Sequence, residues 1–212
     1  MAGRDPELIL QARTLAASRR ATTRVKASRF IATAIPIHRE EGAHAALGGV
    51  RAEFPDATHH CWASRLAAPG DPIERSGDDG EPSGTAGAPI LQAIRRAGLT
   101  NVLIVVTRYF GGVKLGKGGL ARAYRDAARS VLKEAPVVVA ELFVDLEIVV
   151  RIESDGEVRH LVARHRGRVD NARYDPEGRA ILAVSLPHPA LDGLREDLDA
   201  LTRGGASIRS IE

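Results

Sequence analysis

The feature that most constrains the fold is an aliphatic run followed shortly by a glycine-rich segment. Residues 102–106 are apolar without interruption, which predicts a strand buried on both faces of a sheet. Five glycines then fall between positions 111 and 119. Downstream, apolar residues recur at helical spacing, namely Leu120, Tyr124, Ala127 and Val131. This order predicts a sheet, a glycine-rich loop and a helix packed back onto the sheet.

Other patterns in the first hundred residues predict the elements around this run. Strands are predicted at residues 22–38, as a hairpin with its second arm at 30–37, and at 60–66; helices are predicted at 40–53 and 90–97. Gly98 stops the second helix. Residues 70–87 are rich in Gly, Pro and Asp, and a patternless loop of that length suggests a function rather than a simple connection.

The second half of the chain has a different and more regular order of elements. Alternation predicts strands at residues 144–150, 168–174, 179–186 and 206–211, and helical stripes cover residues 158–167 and 191–201. The order β-α-β-β-α-β is that of the ferredoxin-like arrangement. The sequence therefore predicts an α+β protein with a lead-in segment at residues 1–21, one domain at 22–136 and a ferredoxin-like domain at 140–212.

Composition excludes several classes of protein. An apolar fraction of 44% over 212 residues is that of a globular chain rather than a disordered one. A single cysteine, Cys61, excludes an intramolecular disulfide and a Cys-rich zinc module. Apolar runs are far shorter than the roughly 20 residues of a membrane span, and the N-terminus lacks a signal-peptide pattern. We expect a cytoplasmic protein that does not enter a membrane.

The glycine-rich segment between the buried strand and its helix is a candidate anion-binding loop. Glycines let backbone N–H groups converge on an anion, and a helix N-terminus adds partial positive charge. The candidate residues are Arg108, Gly111, Gly112, Lys114, Gly116, Lys117, Gly118 and Gly119. The segment spells the start of a Walker A motif, but Gly118 stands where a Ser or Thr must ligate Mg²⁺, which argues against a P-loop nucleotidase. Tight turns alone would also explain the glycines.

Basic residues on the helix after the glycine-rich segment extend the candidate anion-binding site. Arg122, Arg125, Arg129 and Lys133 share one face, opposite the apolar stripe, and together with the loop they form a surface suited to a phosphate backbone. Residues 1–136 carry 20 basic and 13 acidic side chains, whereas residues 137–212 carry 10 and 14. The asymmetry is consistent with a polyanionic partner for the first half, although a solvated helix face is an equally good reading.

Two further segments carry side chains with possible chemistry. His59 and Cys61 share a strand face, but no further ligands follow at zinc-like spacing, so we expect no metal and no cofactor. The acidic loop holds Asp78, Asp79, Glu81, Ser83 and Thr85. Ser83 or Thr85 is expected to cap the following helix, and the carboxylates are candidates for general acid–base work or for a self-structured turn.

These segments closely resemble the YigZ/IMPACT family. The resemblance is carried by residues 28–32, 57–63, 78–87, 107–116, 118–120 and 122–124, in order and at the family's separations. It implies a first domain like the second domain of a small-subunit ribosomal protein, and a second domain similar to the last domain of elongation factor G. Members in eukaryotes regulate translation. This chain departs from the family at His60, where an Asn is usual, and at Lys117, where a small polar residue is usual.

Two functions follow from residues and resemblance together. The preferred one is a non-enzymatic module that binds RNA or a ribosome-associated factor and modulates translation. The alternative is an enzyme for a small phosphorylated or nucleotide substrate, in which the loop cradles phosphate and His59, Asp78 or Asp79 transfers a proton. We expect Gly118→Val to weaken anion binding if Gly118 has a positive φ.

Overall fold

The aliphatic run forms the middle strand of a five-stranded antiparallel sheet. The computed structural model describes residues 11–68 and 71–210, which divide into two compact units, one of residues 12–140 and one of residue 11 with residues 141–210. The first unit contains β1 (Gln11–Leu15), β2 (Arg19–Val25), β3 (Ser28–Pro36), α1 (Glu40–Glu53), β4 (His59–Leu66), β5 (Ile73–Gly77), α2 (Gly87–Ala97), β6 (Val102–Tyr109), α3 (Gly116–Glu134) and β7 (Val137–Glu141). The sheet order is β2-β3-β6-β4-β5, and β1 pairs with β7 separately.

Both faces of β6 are covered, as its sequence predicts. Leu103 and Val105 pack in the cluster that contains Leu47 and Val50 of α1. On the other face, Ile104 packs in the larger cluster, formed with α2 and α3. All residues from 102 to 106 are fully buried, so the strand anchors two cores at once.

The second unit has the ferredoxin-like order that the sequence predicts. Its elements are β8 (Phe143–Arg151), α4 (Asp155–Arg164), β9 (Arg168–Tyr174), β10 (Arg179–Pro187), α5 (Leu191–Thr202) and β11 (Ser207–Ser210), with single 3₁₀ turns at Ile152–Ser154 and His188–Ala190. The antiparallel sheet runs β11-β8-β10-β9, and one apolar cluster joins it to α4 and α5. The α+β class is confirmed. The predicted domain bounds, 22–136 and 140–212, stay a prediction.

Two predicted segments differ from the structure. Within the lead-in at 1–21, residues 1–10 lie outside the described part of the chain, but residues 11–15 form β1 and residue 19 begins β2. The loop predicted at 70–87 contains the edge strand β5. Its residues Glu74, Arg75 and Ser76 are polar, so this strand shows no hydrophobic alternation. Within the described residues, no helix combines the length and apolar character needed to cross a bilayer.

The glycine-rich segment is part loop and part helix. The loop ends at Leu115 and α3 begins at Gly116. Gly116, Gly118 and Gly119 therefore belong to the first turn of α3. Positive φ angles occur at Gly112 (85°) and Gly116 (72°), and not at Gly118, so the condition attached to the Gly118→Val expectation is not met. Helical backbone at Gly118 follows from the buried stripe of α3, whose packing against the sheet outweighs the low helix propensity of glycine.

Gly111 is required for a close approach of two backbone segments. A Cβ at Gly111 would lie 2.0 Å from the carbonyl oxygen of Ala27, in the turn between β2 and β3. At Gly118 an added Cβ would meet nothing within 4 Å. A side chain is therefore sterically excluded at Gly111 and tolerated at Gly118, although both glycines belong to the same glycine-rich segment.

Alanine at these two positions is expected to change stability in opposite directions. Gly111→Ala should lower the free energy of unfolding by about 2 kcal/mol, since overpacking forces backbone shifts. Gly118→Ala should raise it by about 0.5–1 kcal/mol through helix propensity. Denaturant unfolding measures both. Equal effects of the two substitutions would contradict this description of the loop.

Candidate functional site

The ends of β4 and β6 and the start of α3 border a cavity of about 450 Å³. Its lining includes His59, Glu81, Arg108, Lys114 and Lys117. His59 of β4 is paired with Arg108 of β6 in the antiparallel register, so their side chains emerge on the same sheet face. The cavity thus gathers residues from the acidic loop and the glycine-rich loop, which are well separated in sequence.

Glu81 and Arg108 form a buried ion pair in the lining of this cavity. Nη1 of Arg108 donates to Oε1 of Glu81 at 2.5 Å, and the two side chains are only 5% and 4% exposed. The hydroxyl of Tyr124 donates to the same oxygen at 2.7 Å, and Nη2 of Arg108 donates to the hydroxyl of Ser28 at 3.3 Å. The charge of Arg108 is therefore balanced by Glu81 within the protein, and anion binding by Arg108 stays a prediction.

Aromatic rings hold the arginine and the tyrosine in place. The guanidinium carbon of Arg108 lies 5.4 Å from the ring centroid of Phe30 and 5.3 Å from that of Phe110. Tyr124 meets Phe30 edge to face at 5.2 Å. Burial raises the pKa of Tyr124, so its hydroxyl keeps its proton and acts as a donor to Glu81.

Asp78 caps helix α2. Its carboxylate accepts hydrogen bonds from the N–H groups of Gly84 at 2.7 Å, Ala86 at 2.9 Å and Gly87 at 2.8 Å. Burial acts to raise the pKa of Asp78, but these three donors outweigh it, and the pKa is lowered. Ser83 and Thr85 do not cap the helix as expected. Ser83 is exposed, and the hydroxyl of Thr85 donates to the Pro82 carbonyl at 2.6 Å.

Asp79 stabilises the turn at residues 78–81. Its carboxylate accepts from the N–H of His60 and from Nη2 of Arg51, each at 2.7 Å. The φ angles of Asp79 (45°) and Gly80 (86°) are both positive, and the N–H of Glu81 closes the turn on the Asp78 carbonyl at 2.9 Å. The carboxylates of both aspartates therefore hold the turn and the neighbouring elements through hydrogen bonds, which argues against proton transfer by either.

His59, His60 and Cys61 do not form a metal site. Nδ1 of His59 contacts the carbonyl of Asp79 at 2.8 Å, and its Nε2 lies 3.9 Å from Oε1 of Glu81. Cys61 is fully buried, donates to the Asp78 carbonyl at 3.0 Å, and burial raises its pKa to about 12. Among residues 11–68 and 71–210, no three His, Cys, Asp or Glu side chains are grouped to hold a metal ion.

The remaining predicted cations lie on the outer surface. Lys114, Lys117, Arg122, Arg129 and Lys133 are exposed, and none forms an ion pair or hydrogen bond with a described residue. Arg125 is half-buried and lies 3.7 Å from Asp126. We call these five exposed residues the cationic surface. Its helical members face away from the apolar stripe of α3, which is buried as predicted.

Two features of the site escaped the sequence patterns. Glu81 belongs to the acidic loop, but no spacing in the sequence indicates that it pairs with Arg108, 27 residues downstream. Phe110 is not among the predicted site residues, although it is 44% exposed and lines the cavity. A large aromatic residue at the end of a buried strand, directly before two glycines, was the available signal.

Loss of the Asp78 carboxylate should lower the free energy of unfolding more at neutral pH than in acid. Because its folded pKa is below the usual 3.8, its contribution is fully present above about pH 5 and is lost as the pH falls through the folded value. Asp78→Ala should cost about 1–2 kcal/mol at pH 7, and less below about pH 4. Urea unfolding at several pH values tests this, with Asp126→Ala on the exposed face of α3 as control. A pH-independent cost would contradict the assigned role.

The two units match different family models. Residues 26–132 match the Impact N-terminal domain, and residues 138–211 match the elongation factor G C-terminus. A crystal structure described as that of a hypothetical protein has a TM-score of 0.71 and 30% identity, and the likeness covers 96% of this chain and 98% of that chain.

Two curated relatives match nearly the whole chain. The chain is 41% identical over 181 residues to an IMPACT family member from Thermus thermophilus, covering 85% of this chain and 96% of the relative. It is 32% identical over 189 residues to the IMPACT family member YigZ of Escherichia coli (strain K12), covering 89% and 92%. The resemblance of the motifs is thereby confirmed, and the chain belongs to the IMPACT family.

Proposed function

We propose that this protein is a non-enzymatic, cytoplasmic module that binds RNA, free or associated with the ribosome, and modulates translation. The observation that carries the proposal is the cationic surface. Its five side chains are exposed and form no ion pair with a described residue, so their charge is available to a polyanion.

The arrangement of these charges suits a phosphate backbone. Arg122, Arg129 and Lys133 lie on one face of α3 and span about 16 Å along its axis at 1.5 Å per residue. Lys114 and Lys117 extend the charge to the loop before the helix. Contacts of this kind recognise backbone rather than bases, and they give binding that depends strongly on salt.

The match of the second unit to elongation factor G supports a link to translation. Residues 138–211 match a model named after the C-terminus of that factor. The first unit carries the excess of basic residues, so RNA contact is assigned to the first unit and not to the second.

The second candidate is an enzyme for a small phosphorylated or nucleotide substrate, and the cavity beside His59 is the observation that favours it. The arrangement of carboxylates weighs against it. Asp78 and Asp79 are bonded to backbone N–H groups, and Glu81 is paired with Arg108, so His59 remains as the proton-transfer candidate. We therefore rank this function second.

Salt-dependent binding tests the RNA proposal. Each phosphate contact contributes about 0.7 to the slope of log K against log[salt] for single strands. The double variants Lys114→Ala/Lys117→Ala and Arg122→Ala/Arg129→Ala should each weaken binding to a single-stranded RNA and flatten the slope by about 1.4. Fluorescence anisotropy at several salt concentrations gives both quantities.

A matched control removes the same charge elsewhere. Arg164 and Arg195 lie on helices of the second unit, 3.7 Å from Asp197 and 3.9 Å from Asp192. The variant Arg164→Ala/Arg195→Ala should leave affinity and slope unchanged. Equal losses in the control and the test variants, or no RNA binding by the wild type, would overturn the proposal.

A further inference from the structure

We propose that the cavity bordered by β4, β6 and α3 binds a nucleoside monophosphate unit. Its phosphate would lie at the start of α3, between Lys114 and Lys117, and its base would stack on Phe110. The inference concerns a site separate from the helical part of the cationic surface, and it requires neither RNA binding nor catalysis.

The first argument compares the two helices that begin near this site. At the start of α2, the carboxylate of Asp78 accepts from the N–H groups of Ala86 and Gly87, so the protein supplies its own anion there. At the start of α3, no side chain from the described residues caps the free N–H groups. Helix N-termini favour anions through these N–H groups and the helix dipole. Of these two helices, α3 is therefore the one whose start is left open to an anion by the described residues.

The second argument is an unsatisfied donor in the cavity wall. Arg108 is 4% exposed, and its Nη1 and Nη2 are bonded to Glu81 and Ser28, whereas its buried Nε has no partner among the described residues. Such orphaned donors on charged groups are uncommon in native structures because they are costly. Solvent does not reach Nε in this conformation, so a ligand oxygen in the cavity would become its acceptor through a shift of the Arg108 side chain.

The third argument is charge. The lining carries Arg108, Lys114 and Lys117 against the single carboxylate of Glu81. The ion pair consumes one cation and the carboxylate, so the two lysines are left in excess. Both lysines are exposed and form no ion pair with described residues. This excess matches the charge of a phosphate monoester, which carries up to two negative charges at neutral pH.

The fourth argument concerns the rest of the ligand. The lining also contains Phe110, Pro82, Leu115 and Leu120, which form an apolar wall. Phe110 is 44% exposed, and aromatic rings of this kind stack on bases. A volume of about 450 Å³ lies within the usual range for small-ligand sites. A phosphate alone would leave the apolar wall unused, so a nucleotide fits better than a free anion.

Glu81 offers a specific polar contact to such a ligand. The hydrogen bonds from Arg108 and Tyr124 both end on Oε1. Oε2 accepts none from the described residues, so it can accept one from a ribose hydroxyl or a base N–H group.

Calorimetric titration of the full chain tests the site. The probes are the four nucleoside 5′-monophosphates, their parent nucleosides and inorganic phosphate. At least one monophosphate should bind about tenfold more tightly than its nucleoside and than phosphate, because both ends of the ligand are recognised. No monophosphate binding, or equal binding of inorganic phosphate, overturns the proposal.

Two variants locate the ligand. Lys117→Ala should weaken monophosphate binding about tenfold, and Phe110→Ala about fivefold or more. Both side chains are exposed, so the fold should be kept. Val113→Ala is the control, since Val113 is also 44% exposed in the same loop but does not line the cavity. A loss with Val113→Ala equal to that with Phe110→Ala counts against the site.

A further arm separates the two sources of a nucleotide. If the ligand is an RNA end, a 5′-phosphorylated RNA tetranucleotide should bind more tightly than its 5′-hydroxyl form, and Lys117→Ala should reduce the difference, whereas Phe110→Ala should weaken the binding of both. Equal binding of both, with tight monophosphate binding, assigns the site to free nucleotides. RNA binding without monophosphate binding overturns the cavity site alone, whereas monophosphate binding without RNA binding overturns the RNA function alone.

Discussion

The buried ion pair between Glu81 and Arg108 is the interaction on which the cavity end of the sheet depends. It joins the acidic turn to β6, and through Tyr124 and Ser28 it reaches α3 and β3. Taking two charges out of water is costly, and removing one partner of such a pair is more costly still. The pair therefore accepts few alternative arrangements of the elements around it.

Other hydrogen bonds of the acidic turn position the neighbouring helix α2 and the start of β4. The turn that carries Glu81 also carries Asp78 and Asp79, whose carboxylates bind the start of α2 and the N–H of His60 on β4. The acidic loop is thus a structural element with hydrogen bonds to three helices, α1, α2 and α3, and to two strands, β4 and β6. Its position leaves the start of α3 open, where the lysines of the glycine-rich loop lie.

The regular elements were predictable because each depends on a local period. The helix at 40–53, the buried strand from residue 102 and the β-α-β-β-α-β order all follow from apolar spacing along the chain. The edge strand β5 was missed because an edge with polar residues on both faces has no such period. The helical backbone of Gly118 was missed because packing of α3, and not the propensity of glycine, decides its conformation. The pairing of Glu81 with Arg108 depends on tertiary contact, which no spacing within one sequence encodes.

A double-mutant cycle on Glu81 and Arg108 tests most directly whether this pair organises the site. The free energy of unfolding is measured for Glu81→Gln, Arg108→Met and the double variant. Each single change should cost about 3 kcal/mol or more, because it leaves a buried partner uncompensated. The double variant should be more stable than the sum of the two losses implies, by about 2 kcal/mol. Additive losses, within about 0.5 kcal/mol, would contradict the central role assigned to the pair.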